Sequence, residues 1–221
     1  MNENQKFLRY EIVCSLILRN QAESFLHQII TCDEKWILYD NRRRTGQWLD
    51  KKESPKHFPK PGNYPKKVMI TVWWTMEGIV HYEYLTPGKT ITAVSYSQQL
   101  TLVHQKLLVK QPALVNRKGV ILLHDNAKPH ISKVTQAKLK ELKFEVLPHP
   151  PYSPDLVPTD FQFFKHLDNF LTGKIFDDPE ALKNEVDAFI SSRTKEFYQS
   201  GINKLLERWE KCELSNGSYF D

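Results

Sequence analysis

Apolar residues recur at helical spacing between about residues 5 and 30, at Leu8, Ile12 and Leu16 and again at Phe25 and Ile29, which predicts one or two helices with a break near Asn20. The period then shortens. "IITCDEKWILYD" (29–40) is rich in β-branched and aromatic residues and reads as a strand, with "RTGQWLD" (44–50) as a possible pairing partner. Pro55, Pro59, Pro61 and Pro65 rule out helix or central strand in the next stretch and predict an extended loop. "KVMITVWWTMEGIVHYEYL" (67–85) alternates about a turn at Glu77-Gly78 and predicts a hairpin, with Trp73 and Trp74 packing on opposite sides. A helix of about five turns follows over 92–111, then the continuously apolar strand "GVILLHD" (119–125), of the kind buried on both faces.

The remaining pattern is a helix over 131–142, a strand "FEVLP" (144–148), a proline-punctuated loop, a helix from Pro158 to Leu171, and helices over 180–190 and 201–214. Three antiparallel strands followed by alternating helix and strand make a mixed sheet with helices on its faces, an α/β layer architecture.

Composition narrows the class. The 221 residues suffice for one sizeable core, 26% are charged, and no apolar run approaches a bilayer span, so a membrane protein is not expected. The N-terminal apolar stretch carries Glu11 and Arg19, unlike a secretory signal, so an intracellular protein is expected. Three cysteines with no close pair suggest neither disulfides nor zinc. The net charge of +5 is mild, but residues 41–67 hold nine Lys or Arg against Asp50 and Glu53 alone. That concentration suits phosphate contacts, with Arg42, Arg43 and Arg44 as candidates.

Three carboxylates stand where apolar residues are expected. Asp125 ends the buried strand, Asp33 interrupts an apolar one, and Asp160 lies in the first turn of a helix whose positions 164, 167 and 171 are Phe, Leu and Leu. Oxygen-only donors converging in this way suit two hard divalent cations, Mg²⁺ or Mn²⁺, as used in phosphodiester chemistry. His124 and Asn126 flank Asp125 and, if the strand continues that far, alternation puts them on its opposite face; with Lys128 and His130 they are candidates for supporting the carboxylate or touching DNA.

Asp33, Asp125 and Asp160, with 34 residues between the last two, and the motifs "TCDEKW", "HDNAKPH" and "HPPYSPDLVPTDFQFF" resemble the catalytic domain of mariner transposases, of the Tc1/mariner group. "PKHFPKPGNYPKKVMITVWW" and "RWEKCELSNGSYFD" extend the resemblance over nearly the whole chain, particularly toward the branch with a domesticated relative fused to a SET methyltransferase domain. The resemblance implies an RNase H-like fold for residues 31–221, with a clamp-like loop at 41–67 and residues 1–30 as a helical segment following a DNA-reading region absent from this chain. It implies Asp33, Asp125 and Asp160 as metal ligands, nicking at transposon ends, strand transfer into TA dinucleotides, a homodimer, no small-molecule substrate and a nuclear location. The domesticated relative carries Asn at the third position, so Asp160 argues for a competent site. The contrasting expectation is a domesticated DNA-binding or dimerisation module with little residual nuclease activity.

Overall fold

The computed structural model describes residues 1–42, 49–50, 53–54, 66–86 and 88–220. The pairing expected of "RTGQWLD", most of the clamp-like loop, and Arg43 and Arg44 lie outside them. Helix α1 (Glu3–Ala22) opens with a reciprocal cap in which Asn2 Oδ1 accepts from the Gln5 amide and Gln5 Oε1 accepts from the Asn2 amide, both at 2.9 Å. It runs unbroken past Asn20 and ends at Ala22.

Strand β1 (Ile29–Leu38) is the centre of a five-stranded sheet. On one side it pairs antiparallel with β2 (Lys67–Thr75), which pairs antiparallel with β3 (Gly78–Tyr84); on the other it runs parallel to β4 (Val120–Leu123), which is parallel to β5 (Phe144–Val146). The order β3-β2-β1-β4-β5 is the mixed sheet expected. The hairpin turn falls at Met76-Glu77, and Gly78 takes the positive φ of 125° that closes it.

Helices cover both faces, and two apolar cores result. Helices α2 (Ala93–Lys110) and α3 (Lys133–Glu141) meet Ile30, Cys32, Trp73 and Leu122. Helix α1 and helices α4 (Lys165–Leu171), α5 (Pro179–Ser191) and α6 (Lys195–Leu214) meet Ile29, Ile37, Trp74 and Leu123. Trp73 and Trp74 are both fully buried, one in each core, as their alternation predicts. All four residues of β4 are buried, which explains its unbroken apolar run.

Helix α6 begins six residues before the expected start at Gly201. A Cβ at 201 would stand 2.8 Å from the Trp74 ring and 2.8 Å from Gln162 Cγ, so this glycine permits close helix–sheet approach and does not mark a helix end. At the base of the 41–67 excursion, Tyr39 N donates to Lys66 O at 3.0 Å and Asn41 N to Lys174 O at 3.0 Å. Arg42, a candidate phosphate contact, is paired with Asp40 on the exposed surface.

Candidate active site

Strand β1 presents Thr31, Asp33, Lys35 and Ile37 to the face covered by the C-terminal helices. Thr31 Oγ1 lies 3.2 Å from Thr159 Oγ1, and Trp74 Nε1 donates to Thr159 Oγ1 at 3.1 Å. These ties fix the start of the turn that carries Asp160. That turn, Thr159–Phe164, is π-helical before it continues into α4, a widening common at functional positions. Phe164, Leu167 and Leu171 are buried as the spacing requires, and Asp160 is half-buried beside Asp33.

Asp125 arrives differently. Strand β4 stops at Leu123, and the chain then turns so that Asp125 Oδ1 accepts from Ala127 N at 2.9 Å and from His130 Nδ1 at 2.6 Å. Because the strand does not reach residue 126, the alternation expected for Asn126 fails: Asn126 lines the same cavity as Asp125 and donates to His149 O at 2.8 Å. His124 does point inward, with Nδ1 2.7 Å from the Tyr96 hydroxyl. His130 is only 2% exposed, so it is a buried partner of Asp125 and not a surface contact for DNA; Lys128 is exposed.

Asp33, Asp125 and Asp160 line one cavity of about 450 Å³, with Asn126, His149 and Tyr152 on its walls. Burial pushes the Asp33 carboxyl well above the usual carboxylate range, and the negative charge of Asp160 adds to this. Burial also raises Asp160, opposed by a hydrogen bond with Asp33 and by the positive charge of Lys35. Burial acts upward on Asp125 too, but the bonds from His130 and Ala127 outweigh it and hold Asp125 low. His130 is pulled down by burial and pushed up more strongly by Asp125 and Glu34, to about 9, so it is an imidazolium near neutrality. Burial and the neighbouring His130 hold His124 neutral, at about 3.

The donor set fits a hard divalent cation, since it is all carboxylate oxygen and two of its members repel each other in a poorly solvated place. As they stand, the side chains are occupied with one another and with His130, and among the described residues no three His, Cys, Asp or Glu are disposed to hold an ion.

Several contributors escaped the sequence reading. Glu34 Oε1 is buried without a hydrogen-bond partner and lies 3.4 Å from His130 Nε2. Arg9, fully buried, makes a two-pronged bond to Asp155 at 2.8 and 2.6 Å and donates to Gly217 O at 2.9 Å. Arg208 Nε donates to Asp155 O, and the Tyr219 hydroxyl to Tyr152 O at 2.6 Å. The loop leading to Asp160 is thus braced by α1, α6 and the C-terminal segment. The available signal was Arg9 itself, a charge in line with the buried Val13, Leu16 and Ile17 at helical spacing.

Comparison with known proteins supplies the context. The family model described as Transposase (partial DDE domain) matches residues 38–117. The chain is 58% identical over 221 residues to human histone-lysine N-methyltransferase SETMAR, covering 100% of this chain and 32% of that protein. It is 38% identical over 222 residues to the Mariner Mos1 transposase of Drosophila mauritiana, covering 100% of this chain and 64% of that one. It therefore spans about a third of the first relative and under two thirds of the second. Among solved structures, the Mos1 transposase catalytic domain with raltegravir and Mg is similar at a TM-score of 0.86 and 39% identity, with 100% of this chain and 99% of that chain covered. The Mos1 paired end complex with Mn matches at a TM-score of 0.93 and 40% identity, covering 100% and 65%. With its five-stranded mixed sheet and both faces covered in the RNase H-like manner of those structures, this chain belongs to the mariner transposase family and corresponds to its catalytic domain.

Proposed function

We propose that this chain nicks DNA at transposon ends and transfers the resulting 3′-hydroxyl into TA target sites, using Asp33, Asp125 and Asp160 as ligands for Mg²⁺ or Mn²⁺. The observation that carries this reading is the shared cavity of the three carboxylates, two of which, Asp33 and Asp160, are pushed up by burial and so disfavour standing together as bare charges. The Mos1 structures solved with Mn and with paired transposon ends support both the cation and the DNA partner. Asp33, Asp125 and Asp160 would hold the ions, whose chemistry when bound would be activation of the attacking water or 3′-hydroxyl and stabilisation of the leaving oxygen.

The chain's own residues do the rest. Strand β1 and the π-turn hold Asp33 and Asp160 on rigid elements tied through Thr159. His130 fixes the direction of the Asp125 carboxylate, and Asn126 anchors the loop beyond it to His149 O. Pro151, Ser153 and Val157 complete the wall of the cavity on the side of the loop that leads to Asp160. A homodimer suits a reaction on paired ends, and chromosomal substrate suits a nuclear protein.

The test is relaxation of supercoiled plasmid by the purified chain with Mg²⁺, Mn²⁺ or EDTA. Metal-dependent nicking supports the enzyme. Folded protein that binds DNA but never nicks it in either metal supports the binding-module reading instead.

A further inference from the structure

The helical segment that carries Asp160 also lines a second, smaller hollow of about 170 Å³, which shares no lining residue with the catalytic cavity. Phe161, Gln162 and Lys165, which follow Asp160 directly, form one wall, and α6 forms the other with Lys204 and Arg208. We propose that this cleft is a subsite for a backbone phosphate of the DNA strand whose reacting phosphate lies at Asp33 and Asp160; it rests on the DNA-cleaving reading above.

Lys165, Lys204 and Arg208 bring three positive charges to the cleft, against one lining carboxylate among the described residues, Glu207, which acts on Lys204 and Arg208 at a distance. Among the described residues, neither Lys165 nor Lys204 has a carboxylate within 4.0 Å, whereas Lys35, Lys174, Lys195 and Lys211 each do. That carboxylate, Glu207, is bound to Lys211 at 2.7 Å. The carboxylate of Asp155, next to Arg208, is bound by Arg9. Like charges gathered in this way repel one another, and the fold holds them by ties that leave the charge unspent.

Those ties also aim the groups. Gln162 is 4% exposed and donates to Phe197 O at 3.2 Å, so its Oε1 is fixed and accepts one of the three Lys204 ammonium protons at 3.1 Å. Arg208 uses Nε on Asp155 O and lies over the Phe161 ring at 4.4 Å, which fixes the guanidinium plane and leaves its terminal N–H groups unused by those ties. His166 Nδ1 is 2.6 Å from Gln162 O, so Nδ1 carries the proton and Nε2 remains available.

A planar fork plus an ammonium suits the two non-bridging oxygens of a phosphodiester. The link to the catalytic cavity is the shared segment: Asp160 lines that cavity and Phe161, Gln162 and Lys165 of the same helical stretch line the cleft, and the proposed subsite puts both on the path of one nucleic-acid strand. The contact would supply affinity and register without reading bases.

The experiment is binding of the full chain to a fluorescein-labelled 30-base-pair duplex of arbitrary sequence in EDTA, by anisotropy across a KCl series. Lys165→Ala/Lys204→Ala is compared with Lys138→Ala/Lys183→Ala, a double variant of equal charge change on α3 and α5. Losing one phosphate contact lowers the magnitude of the salt slope by about 0.9. The expected result is that drop in the cleft variant, with weaker binding at each salt, and no slope change in the other; circular dichroism melts confirm that both are folded. Equal slopes for wild type and cleft variant, equal losses in both doubles, or no binding by wild type at low salt would each overturn the subsite. Plasmid nicking by wild type is run in parallel: nicking with an unchanged slope removes the subsite and leaves the enzyme reading standing, while a changed slope without nicking does the reverse.

Discussion

His130 Nδ1 stands 2.6 Å from Asp125 Oδ1 while Nε2 of the same ring stands 3.4 Å from Glu34 Oε1, so one buried imidazolium spans the end of β4 and the middle of β1. The folded pKa of about 9 lies above the ordinary histidine value of 6.5. The resulting stabilisation is therefore fully present below about pH 6.5 and is lost as pH rises through about 9. A shift of this size corresponds to roughly 3 kcal/mol at most. Urea unfolding of wild type and His130→Gln between pH 6 and 10 should show a gap that narrows with rising pH; a constant gap would contradict the ion pair.

Cation binding at the cavity should release protons. The raised Asp33 pKa means that, without metal, the folded state holds a proton that the unfolded state gives up, so stability falls as pH rises above the ordinary carboxylate value toward the folded one. Mn²⁺ replaces that proton, and its affinity should climb with pH over the same interval, by up to about tenfold per unit per proton released. Titration calorimetry in two buffers of different ionisation enthalpy measures the release. Affinity that is flat with pH would mean that Asp33 is not raised in the folded protein.

Arg9 and Asp155 form the least exposed ion pair of the molecule among the described residues, at 0% and 12% side-chain exposure. Asp155→Ala strands a buried guanidinium and should cost about 3–5 kcal/mol, more than Arg9→Met/Asp155→Leu, which removes both charges. Chemical denaturation of the two variants gives the comparison. The single variant being the more stable one would show that the pair does not act as a unit.

Gly201→Ala should destabilise the fold by about 1–3 kcal/mol through overpacking against Trp74 and Gln162, even though alanine is favoured over glycine in an isolated helix by about 1 kcal/mol. A thermal melt decides the sign, and a raised midpoint would mean that α6 can move away from β2 at little cost.

Most of the architecture was legible in periodicity because this chain obeys it: β4 is apolar throughout since both faces are covered, and the two tryptophans alternate into separate cores. Boundaries failed where tertiary packing set them. Gly201 looks like a helix edge in sequence and is a contact point in space. Of the site, Asp33, Asp125 and Asp160 were visible as charges in apolar settings. The face of Asn126 depended on how far the strand runs, which composition does not report because strand ends are governed by pairing, and that stops at Leu123. The bracing of the Asp160 loop by Arg9 and the C-terminal segment joins residues up to 208 positions apart, and no local pattern reports such a contact.

The central claim is that three carboxylates act together on a phosphodiester. Asp33→Asn, Asp125→Asn and Asp160→Asn keep size and shape while withdrawing one charge each, and their initial plasmid-nicking rates in Mn²⁺ address the claim directly. Every one of these rates should fall by on the order of a hundredfold or more while the protein stays folded. A wild-type rate from any of the three would remove that residue from the site and contradict the account.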